Sequence, residues 1–379
     1  MEIFLIFLQL AGWVAGFLLF RNRPLPQKKL STSYKKAISV IIPARNEENN
    51  LPYLLKSLQS QTRKADEIIV VDDHSSDRTK EAASRFPVRV LSCPELPEGW
   101  TGKNWAVWNG YLHSTGDILV FLDADVRLNS TALESLISER EERGGALSVV
   151  PFHVTEKFYE TLALLPNLLG AFAFVSPFEK KNPRKGLYGS CIVVDRENYE
   201  KVGGHQAVCS ETLDDLQLGA RFSTLGIPVH NYLGTNQVLF RMYPNGLKSE
   251  WEGFSKGALQ STTQLSARTV FFIALWFVGL LTAEISLFLG WSLGPIFLLG
   301  YLLFTFQILW INRSVGSFGW LVPLCHLLST LFFLGILFSS FYQLTIRKSI
   351  TWKGRRIPAR QKAEPRGLKD SRKNRIKTK

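Results

Sequence analysis

Sulfur is scarce in this 379-residue chain, with two methionines and four cysteines. Cys93, Cys191, Cys209 and Cys325 are scattered without a C-x-x-C pair, which gives no zinc-site spacing and no disulfide framework and fits a reducing compartment. No internal repeat is evident. Nor is the chain poor in apolar residues: 46 % are hydrophobic, which excludes a wholly disordered protein. Acids are nearly missing from one end. From Arg347 to Lys379, 14 Lys and Arg stand against Glu364 and Asp370, and the remaining body carries 31 basic and 30 acidic residues. The net charge of +13 therefore describes a tail. Anionic lipid is its expected partner, with a flexible solubilising end as the alternative; no nucleic-acid partner is expected.

The first apolar run, Ile3 to Phe20, has no charge before or within its 18 residues except Glu2. Arg21, Arg23, Lys28 and Lys29 follow it, and no small-x-small cleavage site does. This predicts an uncleaved anchor with residue 21 onward in the cytoplasm. Three further apolar stretches are Thr269–Trp291, Pro295–Ile311 and Leu321–Leu344, with Trp276, Trp291, Trp310 and Trp320 as candidate interface residues. Three complete spans would carry the basic tail outside, against its charge. One stretch is therefore expected to be re-entrant or interfacial, and the 17-residue Pro295–Ile311 is the shortest. Glu284 inside an apolar stretch reads either as functional or as a helix-paired or snorkelling carboxylate.

The expected organisation is an anchor over 1–20, a basic linker over 21–36, a soluble domain over 37–255, a multi-pass membrane region over 269–344 and a basic tail over 345–379. Within the soluble domain, strands are predicted at 37–42, 67–71, 88–91 and 117–122. Helices are predicted at 47–61, with Asn46 as cap, at 77–86 and at 103–114. Nearly continuous apolar strands separated by helices predict an α/β fold whose mostly parallel sheet is covered on both faces. Ligands of such sheets bind beyond the carboxyl ends of the strands. Three strands end there in polar clusters: Ala44-Arg45-Asn46-Glu47, Asp72-Asp73-His74-Ser75 and Asp123-Ala124-Asp125.

Asp123 and Asp125 flank one small residue, so a strand's two-residue period points both carboxylates one way. Paired hard oxygens suit Mg²⁺ or Mn²⁺, whose other positions go to water and substrate phosphate; the plain alternative is two solvated loop acids. Asp72 or Asp73 would accept from a base N–H or ribose hydroxyl, or else cap the next helix. Lys103 follows Gly102 at a helix start, where both the dipole and the ammonium suit phosphate.

Taken in order, Ser39-Val40-Ile41-Ile42-Pro43-Ala44-Arg45-Asn46-Glu47-Glu48, Val70 to Asp77, Gly102-Lys103-Asn104 and Phe121-Leu122-Asp123-Ala124-Asp125 resemble the motifs of glycosyltransferase family 2. The resemblance implies a GT-A fold, a nucleotide-diphosphate sugar donor, a divalent metal and inversion at the anomeric carbon. It implies that Pro43, Ala44, Arg45 and Glu47 line the nucleotide and that Asp72 or Asp73 holds the uracil or ribose. Lys103 would meet phosphate, and Asp123 and Asp125 would bind diphosphate and metal. Glu211 to Gly219 resembles the family's acidic base motif, with Asp215 matching the base position and Asp214 second. The structural alternative is a pair of acids favouring a helix dipole.

The Q-x-x-R-W motif of processive synthases is missing; Phe240-Arg241-Met242-Tyr243-Pro244-Asn245-Gly246 stands in its place. The layout resembles instead the membrane-bound branch that glycosylates isoprenoid lipids, above all the diaponeurosporenoate (carotenoid) glycosyltransferases, with hopanoid-associated relatives next. Ser148 to His153 and Trp352-Lys353-Gly354-Arg355 belong to that resemblance. It implies a hexose, by family weight glucose from UDP-glucose, and a lipophilic acceptor. Phe158–Phe178, interrupted by Pro166 and Asn167, reads as an interfacial segment admitting a lipid or as a core helix. Arg241 and Lys256 are candidates to neutralise an acidic acceptor or meet lipid head groups. A carboxylic acid acceptor arrives ionised and needs little from a base, whereas a hydroxyl needs one. A processive synthase and a non-catalytic nucleotide-sugar binder are the competing functions.

Overall fold

The computed structural model describes residues 1–31, 34–258, 264–289, 293–347, 349–352 and 355–358. Trp291, Lys353, Gly354 and the tail from 359 onward lie outside the described residues. The chain opens with α1 (Glu2–Leu19). There follow β1 (Ile38–Ala44), α2 (Leu51–Gln59), β2 (Glu67–Asp72), α3 (Thr79–Ala83), β3 (Arg89–Ser92) and α4 (Gly102–Leu112). Next come β4 (Ile118–Leu122), β5 (Val126–Leu128), α5 (Ala132–Arg143), β6 (Ala146–Val150), β7 (Phe152–His153) and α6 (Leu164–Val175). The domain closes with β8 (Cys191–Asp195), α7 (Arg196–Lys201), α8 (Asp214–Thr224), β9 (Val229–Leu233), β10 (Val238–Phe240) and α9 (Leu247–Gly257). After it stand α10 (Ala267–Ser286), α11 (Gly294–Val315), α12 (Leu321–Leu324), α13 (Leu327–Tyr342) and a hairpin of β11 (Ser349–Trp352) and β12 (Arg355–Pro358).

Seven strands form the main sheet in the order β3-β2-β1-β4-β8-β6-β9. The first four are parallel, β8 runs against both β4 and β6, and β9 is parallel to β6. All five residues of β4 are buried, as an apolar run covered on both faces must be. Because β1, β2 and β4 share a direction, their polar ends emerge along one edge. A small sheet, β5-β10-β7, continues past the end of β4 and sets Arg241 next to the Asp125 backbone, its N–H donating to that carbonyl at 3.3 Å.

Two local expectations are corrected. Helix α2 starts at Leu51 and not at Glu47. Asn46 takes φ 54°, and its Oδ1 accepts from Ser76 N at 2.8 Å in place of capping a helix. The Glu47 and Glu48 amides donate to Thr79 Oγ1 and Asp77 Oδ2, so the strand-end loops of β1 and β2 hold each other open. The basic linker is also not free. Leu25 N donates to Leu233 O at 2.9 Å, and Lys28 pairs with Glu139 and Glu142 on α5.

Five helical segments are long and apolar enough to cross a membrane: Glu2–Leu19, Phe158–Val175, Ala267–Ser286, Gly294–Val315 and Leu327–Arg347. Half of Phe158–Val175 is buried. Leu168 and Phe172 on α6 belong to one core with Leu19, Trp276, Phe304 and Ile308, so this segment is a packed layer between the main sheet and the apolar helices. α1 and α10 run antiparallel: Gln9 meets Thr282 and Ser286, and an added Cβ on Gly12 would lie 2.8 Å from Gly279 Cα. α11 is parallel to α1, with Gly300 beside Gln9 and Gly16 beside Gln307.

Pro295–Ile311, the shortest of the three apolar stretches, lies within an unbroken helix. α11 is continuous over 22 residues, while the last stretch is interrupted at Cys325 and His326. His326 and Thr330 meet Glu284, and Phe333 meets Phe277 one to two turns earlier on α10. α13 therefore starts beside the far end of α10 and runs back along it toward the α/β domain, where β11 lies against α9. Glu284 is 1 % exposed and bound to His326 Nδ1 and Thr330 Oγ1. It is a helix-paired acid and does not snorkel. Trp276 likewise sits inside the bundle, donating to Gln307 Oε1 at 2.8 Å, whereas Trp310 and Trp320 are exposed.

Candidate active site

A cavity of about 540 Å³ opens where the parallel strands end. Pro43, Ala44, Arg45 and Glu47 follow β1 onto its wall; Asp73 follows β2; Asp123 and Asp125 follow β4. Helix starts supply Lys103 from α4 and Asp214 and Asp215 from α8. Two residues singled out in the sequence are not on this wall. Asp72 and Asp73 are both buried at the end of β2, and of the two it is Asp73 that lines the cavity. Arg241 pairs with Glu156 at 2.6 Å and with Glu160 at 2.8 Å, and Glu160 is 1 % exposed. Arg241 ties the end of β10 to the turn before α6.

On the β1–β2 side, Arg45 Nη1 donates to the carbonyl oxygens of Asp73 (2.7 Å) and His74 (3.1 Å), closing the two loops on each other. On α4, Lys103 Nζ lies 2.7 Å from Asp123 Oδ1. Burial opposes the lysine's charge, but Asp123, Asp214 and Asp215 outweigh it and raise its pKa. Lys103 is therefore a fixed cation. Asn104 beside it is fully buried and donates to the carbonyl oxygens of Val208, Cys209 and Glu211 at 2.8–3.1 Å. It straps the loop that precedes the acid helix onto the start of α4.

The acid pair is unequal. Asp214 Oδ2 lies 3.5 Å from His205 Nε2. The Tyr199 hydroxyl accepts from His205 N at 3.0 Å and stands 2.7 Å from His205 Nδ1. A tyrosine donating to Nδ1 leaves the imidazole's own proton on Nε2, directed at Asp214. Burial would raise the Asp214 pKa, but His205, Lys103 and Lys256 together lower it. Among the described residues Asp215 has no ion-pair partner within 4 Å, and Lys103 offsets its surroundings only in part. Its Oδ2 accepts from Gly189 N at 2.8 Å and its Oδ1 from Leu216 N at 2.9 Å. Burial first, and then the charge of Asp214, raise its pKa. An anion held beside a neighbour of raised basicity is the arrangement in which the neighbour takes a proton.

Asp123 and Asp125 fit a hard divalent cation. Both present oxygen to the cavity, and such ions take one or two carboxylates and leave their remaining positions to water and substrate phosphate. Among the described residues no group of three or more His, Cys, Asp or Glu side chains could hold a metal by itself, so phosphate would be part of the set.

Several functional residues gave no signal in the sequence. Tyr188, Gly189 and Ser190 line the cavity from the approach to β8, and Trp100 does so from the loop before α4. His205 and Tyr199 precede the acids in sequence, and their pairing with Asp214 is a fact of packing that the sequence did not signal.

Residues 39–203 match the family model Glycosyl transferase family 2. A 4,4'-diaponeurosporenoate glycosyltransferase of Staphylococcus haemolyticus is 34 % identical over 358 residues, covering 91 % of this chain and 95 % of that protein. A protein of the same name from Staphylococcus aureus is 32 % identical over 351 residues, covering 90 % and 93 %. Among solved structures, a mannosyltransferase from Pyrobaculum calidifontis in complex with GDP-Man and Mn²⁺ superposes with a TM-score of 0.53 at 18 % identity, covering 89 % of this chain and 94 % of that one. That likeness is one of fold, the GT-A arrangement.

Proposed function

The chain belongs to glycosyltransferase family 2, and from that premise we propose that it moves a hexose from a nucleoside-diphosphate sugar to a carotenoid carboxylic acid at a membrane. The observation that carries this reading is one cavity walled on one side by Asp73, Lys103, Asp123 and Asp125 and on the other by Asp214 and Asp215. The full-length similarity to glycosyltransferases named for 4,4'-diaponeurosporenoate supports the acceptor. UDP-glucose is the proposed donor.

In the proposed reaction Arg45, Glu47 and Asp73 bind the nucleoside, and Lys103 meets the diphosphate. A divalent cation held by Asp123 and Asp125 would neutralise charge on the departing diphosphate. The acceptor oxygen enters from the α8 side and forms its bond to the anomeric carbon as the bond to the diphosphate oxygen breaks, which inverts that carbon. With a hydroxyl acceptor the proton passes to Asp215, kept basic by burial and by Asp214. An acid acceptor brings its oxygen already ionised, and Asp215 then has no proton to take. We further propose a multi-pass protein with its catalytic domain in the cytoplasm, supported by the apolar helices and by Arg21, Arg23, Lys28 and Lys29 after α1.

The test is purified full-length protein with UDP-glucose, Mn²⁺ and 4,4'-diaponeurosporenoate, with products read by mass spectrometry. A glucosyl ester is expected. A polysaccharide product, or none, overturns the acceptor assignment.

A further inference from the structure

We propose that the loop Lys180-Lys181-Asn182-Pro183-Arg184, together with Arg268 at the start of α10, is a binding surface for the headgroups of anionic phospholipids. This rests on the membrane reading above and is independent of the acceptor.

By sequence the loop belongs to the α/β domain, but packing carries it to the end of the apolar helices. Phe178 stacks on Phe272 of α10, with ring centroids 4.9 Å apart and planes 9° from parallel. Glu179 is 3 % exposed. It accepts from Ser266 N at 2.9 Å and from the Thr269 hydroxyl, and so holds the first turn of α10. Asn182 Nδ2 donates to Gln264 O at 2.7 Å, just before that helix. The end of α1 stands at the same level. Gly12 lies against Leu275 and Gly279, and the two helices run antiparallel, so Arg21 just past α1 comes level with Arg268.

Lys180, Lys181, Arg184, Arg268 and Arg21 are exposed, and among the described residues none of them has a carboxylate within ion-pair distance. Glu179 is the one acid between Pro177 and Lys185, and its bonds to α10 turn it inward. Cations gathered without counter-charge repel one another, and an anion from outside relieves that repulsion. The neighbouring surface says which anion. Two and three residues past Arg268, Val270 and Phe271 are 39 % and 61 % exposed, the first of the apolar side chains that α10 turns outward. A free phosphate or a nucleic acid would meet only the charge. A phospholipid meets both features, its headgroup at the cations and its chains along α10. The segment then continues to the reaction cavity. Lys185 Nζ donates to Val229 O at 2.9 Å, Asn231 Nδ2 to Gly186 O at 3.1 Å, and Gly189 N to Asp215 Oδ2 at 2.8 Å. One segment thus carries the headgroup surface at its start and holds the acid helix at its end.

The experiment follows thermal unfolding of the full-length protein in detergent micelles, with phosphatidylglycerol, phosphatidylcholine or inorganic phosphate added. Three forms are compared: wild type, the triple variant Lys180→Gln, Lys181→Gln and Arg184→Gln, and a control of equal charge change, Lys56→Gln, Lys64→Gln and Lys80→Gln. A ligand that binds the folded state raises its unfolding temperature. Phosphatidylglycerol is expected to raise that of wild type and control by about 3 °C or more, and phosphatidylcholine and phosphate by less than about 1 °C. The triple variant should lose at least half of the rise, and Arg268→Gln part of it. An equal rise in the triple variant and the control, or an equal effect of phosphatidylcholine, overturns the proposal. A rise with inorganic phosphate alone overturns the lipid as the source of the anion. A protein that stays dispersed with no detergent overturns the membrane reading first. Should the triple variant show no cooperative unfolding, Lys181→Gln with Arg268→Gln carries the same comparison.

Discussion

His205 Nε2 stands 3.5 Å from Asp214 Oδ2, and this contact makes two adjacent aspartates chemically different. The imidazole is 2 % exposed and is held from behind by Tyr199. Asp214 is thereby kept ionised, and its charge adds to the larger effect of burial in raising the affinity of Asp215 for a proton.

Replacing Asp215 by asparagine should cut transfer to an alcohol acceptor about 10²–10⁴-fold, the usual weight of a positioned base. Transfer to the carboxylic acid should survive within about tenfold. Equal losses would show that Asp215 orients the acceptor and takes no proton. The same variant should melt about 1–3 °C higher. The Asp215 carboxyl holds its proton more tightly folded than unfolded, so its ionisation at neutral pH weighs against the fold, a burden that asparagine does not carry.

The pH profile of kcat/KM with the alcohol should fall toward acid, because the base must be ionised. With its pKa raised, the descent begins above the ordinary carboxylate range near 4 and is displaced toward neutrality. With the acid acceptor this limb should be missing down to the pH at which the acceptor itself is protonated.

His205→Phe removes the donor facing Asp214 and leaves a buried carboxylate short of a partner. A fall of about tenfold in kcat, with donor KM unchanged, is expected, and His205→Gln should recover part of it through its amide N–H. Steady-state kinetics of the two variants decides.

Asp125→Ala, and more strongly the double change with Asp123→Ala, should abolish Mn²⁺-dependent binding of UDP measured by calorimetry. A chelator should lower wild-type turnover by about 10²-fold or more. Normal turnover under chelator would falsify the metal assignment.

Arg241→Met should act on stability and not on acceptor choice. It removes the cation paired with Glu160, which is 1 % exposed and keeps the Glu156 and Lys157 amides as donors, and a buried acid losing its charged partner costs at most about 3–5 kcal/mol. Thermal unfolding should shift sharply downward, while acceptor KM of the folded fraction stays near wild type.

Much of the site was legible before folding. Strands as apolar as Ile118–Leu122 and Glu67–Val71 can only be central, and parallel central strands send Asp73 and Asp123 to one edge whatever the detail. Local geometry was less legible. Asn46 reads as a helix cap by residue type, yet its carbonyl finds Ser76, thirty residues away, and the helix starts later. Arg241 reads as an acceptor cation by its motif, but two glutamates on the turn before α6 claim it. A charge in a linear sequence shows no partner, and the partner decides its task.

The amino-acid order alone determined the layered α/β plan, the acids at its strand ends and the apolar helices that flank it, because hydrophobic period and run length act locally along the chain. The unequal surroundings of Asp214 and Asp215, and the interruption of the last apolar stretch at His326, were decided only when distant segments met. Desolvation and ion pairing depend on distance in space, and α4, α8, α9 and the loop bearing His205 come together nowhere but in the folded molecule.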